Sequence, residues 1–322
     1  VWAHEEILSS DELKDETKRP FRVLSLDGGG SKGVYTLGVL REVEAMAGAP
    51  LHEVFNLIFG TSTGSIITAL LGLGYSVDQI DALYIKLIPK IMTKRTSWTR
   101  TRALRVEATK IFGEKDFSAF KIPVGIVCAN YERERPMIFK NTPEQAHLQA
   151  DTFVPGFGCS IADAIVASSS AYPFFDKVTV KTKNQGKCVL MDGGYVANNP
   201  TLFALADACQ SFQKKRTEVA VLSVGVGIYN EPQKSLFHQL IFRQWEYKLI
   251  AKMFNTSSKT VEQLREILFS DVVCIRINES YADNQYSTDL LESDPDKLDK
   301  LKALGRESFR KFQAEIKTKL KF

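Results

Sequence analysis

With 322 residues, 44% of them hydrophobic and 25% charged, the chain can bury a sizeable core and shows no sign of wholesale disorder. A formal net charge of +4 is too small to argue for a nucleic-acid polymer as partner. No apolar run approaches the ~18 residues that cross a bilayer, and the acidic start (His4, Glu5, Glu6, Asp11, Glu12) does not read as a secretory signal, so a soluble protein is expected.

Residues 1–20 are a polar lead-in that closes on Pro20. A short strand over 22–26 then runs into Asp27-Gly28-Gly29-Gly30-Ser31-Lys32-Gly33, after which Val34, Leu37, Leu40, Val43 and Met46 recur at helical spacing. A second such unit follows: a strand over 54–59, the turn Gly60-Thr61-Ser62-Thr63-Gly64, and a helix over 65–73. Two strand–loop–helix units in succession predict an α/β fold with a mainly parallel sheet, whose functional loops lie at the carboxyl ends of the strands. Further strands are expected at 124–129, 188–191, 219–226 and 272–277, with helices at 161–169 and 200–208 between them. An aromatic-rich helical segment covers 236–268, and a last helix over 296–320 puts Leu298, Leu301, Phe309, Phe312 and Ile316 on one face. The core is expected over 21–227, with 228–322 as a helical and strand extension packed on the same domain.

The five cysteines (Cys128, Cys159, Cys188, Cys209, Cys274) are scattered without Cys-x-x-Cys spacing, and the four histidines (His4, His52, His147, His238) are isolated. Free thiols in a reducing cytoplasm are expected, with no metal site and no cofactor.

The Gly-x-Ser-x-Gly turn has the form of a nucleophile elbow, where a strained strand-to-helix turn pushes a serine hydroxyl outward. Glycines two before and two after Ser62 fit, since a side chain there would crowd the turn and the helix behind it. Ser62 is the candidate nucleophile, and it needs a base. None of the histidines lies beside the glycine and asparagine punctuation of a strand-end loop, whereas Asp192 does, in Val189-Leu190-Met191-Asp192-Gly193-Gly194. A partly desolvated carboxylate there could take the serine proton directly. The Gly28–Gly30 run, opening a helix, exposes main-chain N–H groups that suit an anion. A phosphate is one candidate, but Lys32 is followed by Gly33 rather than Ser or Thr, which departs from the Walker loop. Beside a serine nucleophile the anion would be the oxyanion of acyl transfer.

Asp-Gly-Gly-Gly-x-Lys-Gly after a strand, Gly-x-Ser-x-Gly about thirty residues on, and a distant Asp-Gly-Gly together resemble the patatin-like phospholipase family. The segments 167–175 and Asn198-Asn199-Pro200 are similar to the family as well, and the likeness covers about residues 21–227. Lys32 stands where many members carry arginine. The resemblance implies a three-layer α/β fold, a Ser62/Asp192 dyad, an oxyanion hole from Gly28, Gly29 and Gly30, and membrane phospholipid as substrate. Motif spacing is further similar to the cyclic-nucleotide-activated phospholipases of bacterial antiphage defence, which implies a cyclic dinucleotide as activator. The segment 90–105 holds Lys90, Lys94, Arg95, Arg100, Arg102, Arg105 and Trp98 with no acid among them. It could meet anionic lipid or such a ligand, or be a solvated basic surface. A soluble esterase or thioesterase and a non-catalytic ligand-binding module are the alternatives. Cytoplasmic location with peripheral membrane contact is expected, and the long final helix leaves self-association open.

Overall fold

The computed structural model describes residues 19–147, 152–230, 232 and 244–322. The lead-in up to residue 18 and positions 236–243 of the expected helical segment lie outside the described residues.

Eight strands form one sheet: β1 (Phe21–Leu26), β2 (Leu57–Thr61), β3 (Val124–Asn130), β4 (Arg135–Lys140), β5 (Val178–Thr182), β6 (Gly186–Asp192), β7 (Val219–Val224) and β8 (Val273–Ile277). Their order is β5-β6-β3-β2-β1-β7-β8, with β4 also on β3. The pairs β3–β2, β2–β1, β1–β7 and β7–β8 are parallel, while β4, β6 and β5 run antiparallel to their neighbours. Successive residues of a buried strand face opposite layers. Thus Leu24, Leu26 and Ile58 enter the larger apolar cluster with α1 (Gly33–Ala47) and α2 (Thr63–Gly72), while Val23, Leu57 and Phe59 enter a second cluster with Ala204 and Leu205 of α6 (Thr201–Ala206). Helices on both faces make this the expected three-layer α/β fold.

Between β2 and β3 come α3 (Val77–Met92) and α4 (Ser97–Phe112), and α5 (Ile161–Ser168) precedes β5. After β7, α7 (Gln244–Leu268) leads to β8, which pairs with β7 from Ala220↔Val273 to Val224↔Ile277. The chain ends on α8 (Pro295–Lys319), whose Leu298, Leu301 and Phe309 join the larger cluster.

The start of the second strand differs from expectation. Val54 ends a single helical turn, Leu51–Val54, and β2 begins at Leu57. Asn56 separates them because it closes on β1 twice: its Oδ1 accepts the Arg22 N–H at 2.8 Å and its own N–H donates to the Arg22 carbonyl at 2.8 Å. The basic segment 90–105 also divides, between the end of α3 and the first half of α4. Two of its charges meet acids from outside the segment, Lys90 with Glu107 at 2.8 Å and Arg105 with Asp163 at 3.1 Å. All five cysteines are free thiols.

Candidate active site

The register of β3 brings the two candidate catalytic residues together. One edge of β3 pairs with β4 along its length, from Gly125↔Lys140 to Asn130↔Arg135. The other edge is shared. β2 occupies it from Ile58↔Val124 to Thr61↔Val127, and β6 takes over at Cys128↔Asp192. β2 runs parallel to β3 and β6 antiparallel, so their carboxyl ends converge head to head. Ser62 is the next residue after one end, and Asp192 is the other.

Ser62 has φ 53 and ψ −121, a conformation that a non-glycine residue adopts only when its surroundings enforce it. The enforcement is local. A Cβ at Gly64 would collide with the Leu26 carbonyl, and one at Gly60 with the Gly64 carbonyl, so both glycines answer to close approach. The Ser62 N–H donates to Ser168 Oγ at 3.0 Å, and that hydroxyl donates to the Val127 carbonyl at 2.7 Å. The carbonyls of Ser168 and Ser170 accept from the N–H groups of Gly193, at 3.2 Å, and Asp192, at 3.0 Å. The end of α5 therefore stitches the elbow to the aspartate. Ser168 was noted in the sequence only as part of a small-residue segment, and its bridging role has no local signal.

Asp192 is fully buried. Its Oδ1 accepts the Gly194 N–H at 2.7 Å. Burial pushes the carboxyl up to about 7, against the smaller opposing effects of the Ser62 hydroxyl and the Gly194 N–H. Its Oδ2 has no partner that meets ordinary hydrogen-bond geometry among the described residues, so the contact with Ser62 is a loose one. Such contacts tighten when a substrate closes the site.

The three glycines are not equivalent. The Gly28 N–H already donates to the Asn198 carbonyl at 3.0 Å, whereas Gly29 and Gly30 line the cleft in front of Ser62. Tyr84 Oη and Thr63 Oγ1 both donate to the Gly30 carbonyl at 2.7 Å and fix the loop from its outer side. From beneath, Asp27 is held by a buried fork: Arg276 of β8 donates to Oδ1 at 2.7 Å and to Oδ2 at 2.6 Å. Ser258 of α7 reaches Asp27 at 3.3 Å and accepts from Asn198 Nδ2 at 2.9 Å. Arg276 and Ser258 lie far outside the motifs, and only their place in the fold assigns them to the loop.

The cleft is polar at its floor, with Ser62, Gly29 and Gly30, and apolar along its walls, with Leu87, Ile88 and Ile91 of α3, Leu104 of α4, Phe174 and Phe254. Its free volume is only about 50 Å³, against the ~300–1,000 Å³ of ordinary ligand pockets. No metal-binding group of three or more His, Cys, Asp or Glu occurs among the described residues, and none of their helices is long and apolar enough to cross a membrane.

The family described as patatin-like phospholipase matches residues 24–205. The chain is 49% identical over 296 residues to a cUMP-AMP-activated phospholipase of Escherichia coli, covering 92% of both chains. It is 26% identical to a cGAMP-activated phospholipase of Vibrio cholerae over 66% of this chain and 65% of that one. Rat calcium-independent phospholipase A2-gamma is 28% identical over 70% of this chain and 31% of its own. Among solved structures, VipD from Legionella pneumophila aligns over 92% of this chain and 67% of its own, with a TM-score of 0.49 and 11% identity. The match over 24–205, with close likeness along nearly the whole length of a named phospholipase, places this chain in the patatin-like phospholipase family.

Proposed function

We propose that the protein hydrolyses fatty-acyl esters of membrane phospholipids through Ser62 and Asp192, and that a cyclic dinucleotide switches it on. The observation that carries the chemistry is the head-to-head meeting of β2 and β6 on one edge of β3, which sets a strained serine against a buried carboxylate. In this reading Ser62 Oγ attacks the ester carbonyl carbon while Asp192 takes its proton. The developing oxyanion is received by the N–H groups of Gly29 and Gly30, with Gly28 shaping the loop through its bond to Asn198. Collapse breaks the ester bond, and the departing lysolipid oxygen takes the proton from Asp192. Water then gives its proton to Asp192 and attacks the acyl-serine, the fatty acid leaves, and the proton returns to Ser62. A base that ionises near 7 is half ready at neutral pH.

Apolar walls around a small polar floor suit a long acyl chain with a single reacting group. Activation by a cyclic nucleotide is supported by the names of the E. coli and V. cholerae relatives. The narrowness of the cleft supports a resting form that has to open. The test is release of fatty acid from phospholipid vesicles and from a soluble ester, by wild type and Ser62→Ala, with and without cUMP-AMP or cGAMP. Vesicle hydrolysis that needs one nucleotide and disappears in Ser62→Ala is the expected result. Turnover of the soluble ester alone would make the protein an esterase, and equal silence of both proteins on every substrate would remove the dyad.

A further inference from the structure

A second and much larger cleft, of about 1050 Å³, opens beside β4 on the edge of β3 opposite the Ser62–Asp192 pair. The proposed chemistry makes no use of it. Phe153, Phe157 and Phe203 line it, each half-buried. Phe157 is held edge-on against Phe139 with ring centroids 5.6 Å apart, which fixes one of these walls.

A charged cluster sits among the lining residues. Asp207, with its side chain 1% exposed, accepts from Lys140 Nζ at 2.6 Å and from Gln145 Nε2 at 3.0 Å, and His147 Nε2 lies 2.8 Å from the same carboxylate. Lys140 Nζ also donates to the Gln145 carbonyl at 3.3 Å and lies 2.9 Å from His147 Nε2, so lysine, imidazole and carboxylate form one linked cluster. Helix geometry changes at this residue: Asp207–Ser211 form a π turn directly after α6, and the Phe212 N–H reaches back to the Asp207 carbonyl at 2.9 Å. Single π turns inside helices are frequent at functional sites. Asn184 and Gln185 complete the lining; Asn184 Nδ2 donates to the Thr152 carbonyl at 3.0 Å and Gln185 Oε1 accepts from Arg133 at 2.8 Å.

Rings that can stack a flat heterocycle, amides that can read its edge, and basic groups for an anion are together the requirements of a nucleotide. An acyl chain needs none of the polar parts. The volume lies at the upper end of the ligand-pocket range and suits a ligand larger than one mononucleotide.

We propose that this cleft binds the activating cyclic dinucleotide, stacking its bases on Phe153, Phe157 and Phe203 and setting its phosphates against Lys140 and His147. The proposal rests on the reading that a cyclic dinucleotide activates the enzyme. A short route joins the cleft to the nucleophile. Ile138 lines the cleft and is the register partner of Val127, whose carbonyl accepts from the Ser168 hydroxyl that holds the Ser62 N–H. A ligand that moves β4 therefore acts on the elbow through a single intervening strand.

Calorimetric titration of the full chain with cUMP-AMP and with cGAMP tests the site. The proteins are wild type, Ser62→Ala, Phe153→Ala, Asn184→Ala on the exposed rim, and Ala206→Trp, which fills the cleft. One nucleotide is expected to bind wild type and Ser62→Ala equally. Phe153→Ala should weaken that binding about ten- to a hundredfold, as loss of one stacked base does, and Ala206→Trp should abolish it. Melting temperatures confirm folding, and Asn184→Ala, being at the surface, keeps the test alive if a bulkier change fails to fold. If the nucleotide binds all folded variants as tightly as wild type, the site lies elsewhere and activation stands. If neither nucleotide binds wild type, the activation reading falls and takes this site with it.

Discussion

Replacing Asp192 with asparagine removes a charge that burial opposes, so its effect on stability depends on pH in a direction that can be worked out. The carboxyl ionises at about 7 in the fold rather than at 3.8. Because the folded value is raised, the native state keeps its proton where the unfolded chain has lost it, and stability falls as pH rises from about 4 to about 7. At ~1.4 kcal/mol per pH unit the wild type is ~4 kcal/mol less stable at pH 8 than it would be with a neutral group there. Asparagine has no such proton to lose. Its amide leaves one buried polar group poorly paired, which costs ~1–2 kcal/mol at every pH. Asp192→Asn is therefore expected to be less stable than wild type by ~1–2 kcal/mol at pH 4 and more stable by ~2–3 kcal/mol at pH 8. Urea unfolding of both proteins across this range measures the gap, and effects of all other titrating groups cancel in the difference. A gap that stays constant within ~0.5 kcal/mol would refute the raised carboxyl value, and with it the idea that the base is kept poised by burial. The variant should release no fatty acid at either pH.

Three further outcomes follow from the elbow and its support. Ser62→Gly should melt about 2 °C above Ser62→Ala, since glycine relieves ~1 kcal/mol of strain at φ 53; equal melting points would mean the turn is unstrained. Gly64→Ala drives a Cβ into the Leu26 carbonyl and within 2.7 Å of the Asp27 carbonyl, neither of which is a flexible side-chain end. A loss of ~3 kcal/mol or more is expected, and a melting point within 1 °C of wild type would contradict the packing. Arg276→Met leaves Asp27 buried without its fork and should cost ~3–5 kcal/mol. Adding Asp27→Asn should restore more than half of that in denaturant unfolding, because the stranded charge is gone; no recovery would mean that Arg276 acts through packing alone.

Much of the fold was legible because its signals are local. Apolar strands with glycine turns at their ends, and helical spacing after them, mark β1, β2 and the helices that follow, while β3 and β7 are marked by their apolar runs. Val54 and Phe55 are as apolar as a strand requires, yet β2 begins only at Leu57, because the break before it is set by Asn56 bonding to Arg22, a contact between distant parts of the chain. The basic stretch at 90–105 read as one surface, yet Glu107 and Asp163 pair with two of its charges from beyond it. In the site, Ser62, Asp192 and the glycine run could be named from their turns. That Gly28 has its N–H engaged by Asn198, or that Ser168 bridges Ser62 to Val127, depends on long-range register that no local pattern encodes.

The abutting ends of β2 and β6 also bear on how such an enzyme can change. Their separation is counted in positions along β3, from Val127 to Cys128, and not in the length of chain that joins them. Apart from α2, β3 and the end of α5, which hold the two residues in place, the chain between the strands, including α3 and α4 that wall the cleft, can lengthen, shrink or be rebuilt without moving serine and carboxylate apart. The candidate nucleophile and base are thus insulated from changes in the cleft walls. Insertion there retunes what the cleft admits while Ser62 and Asp192 keep their places.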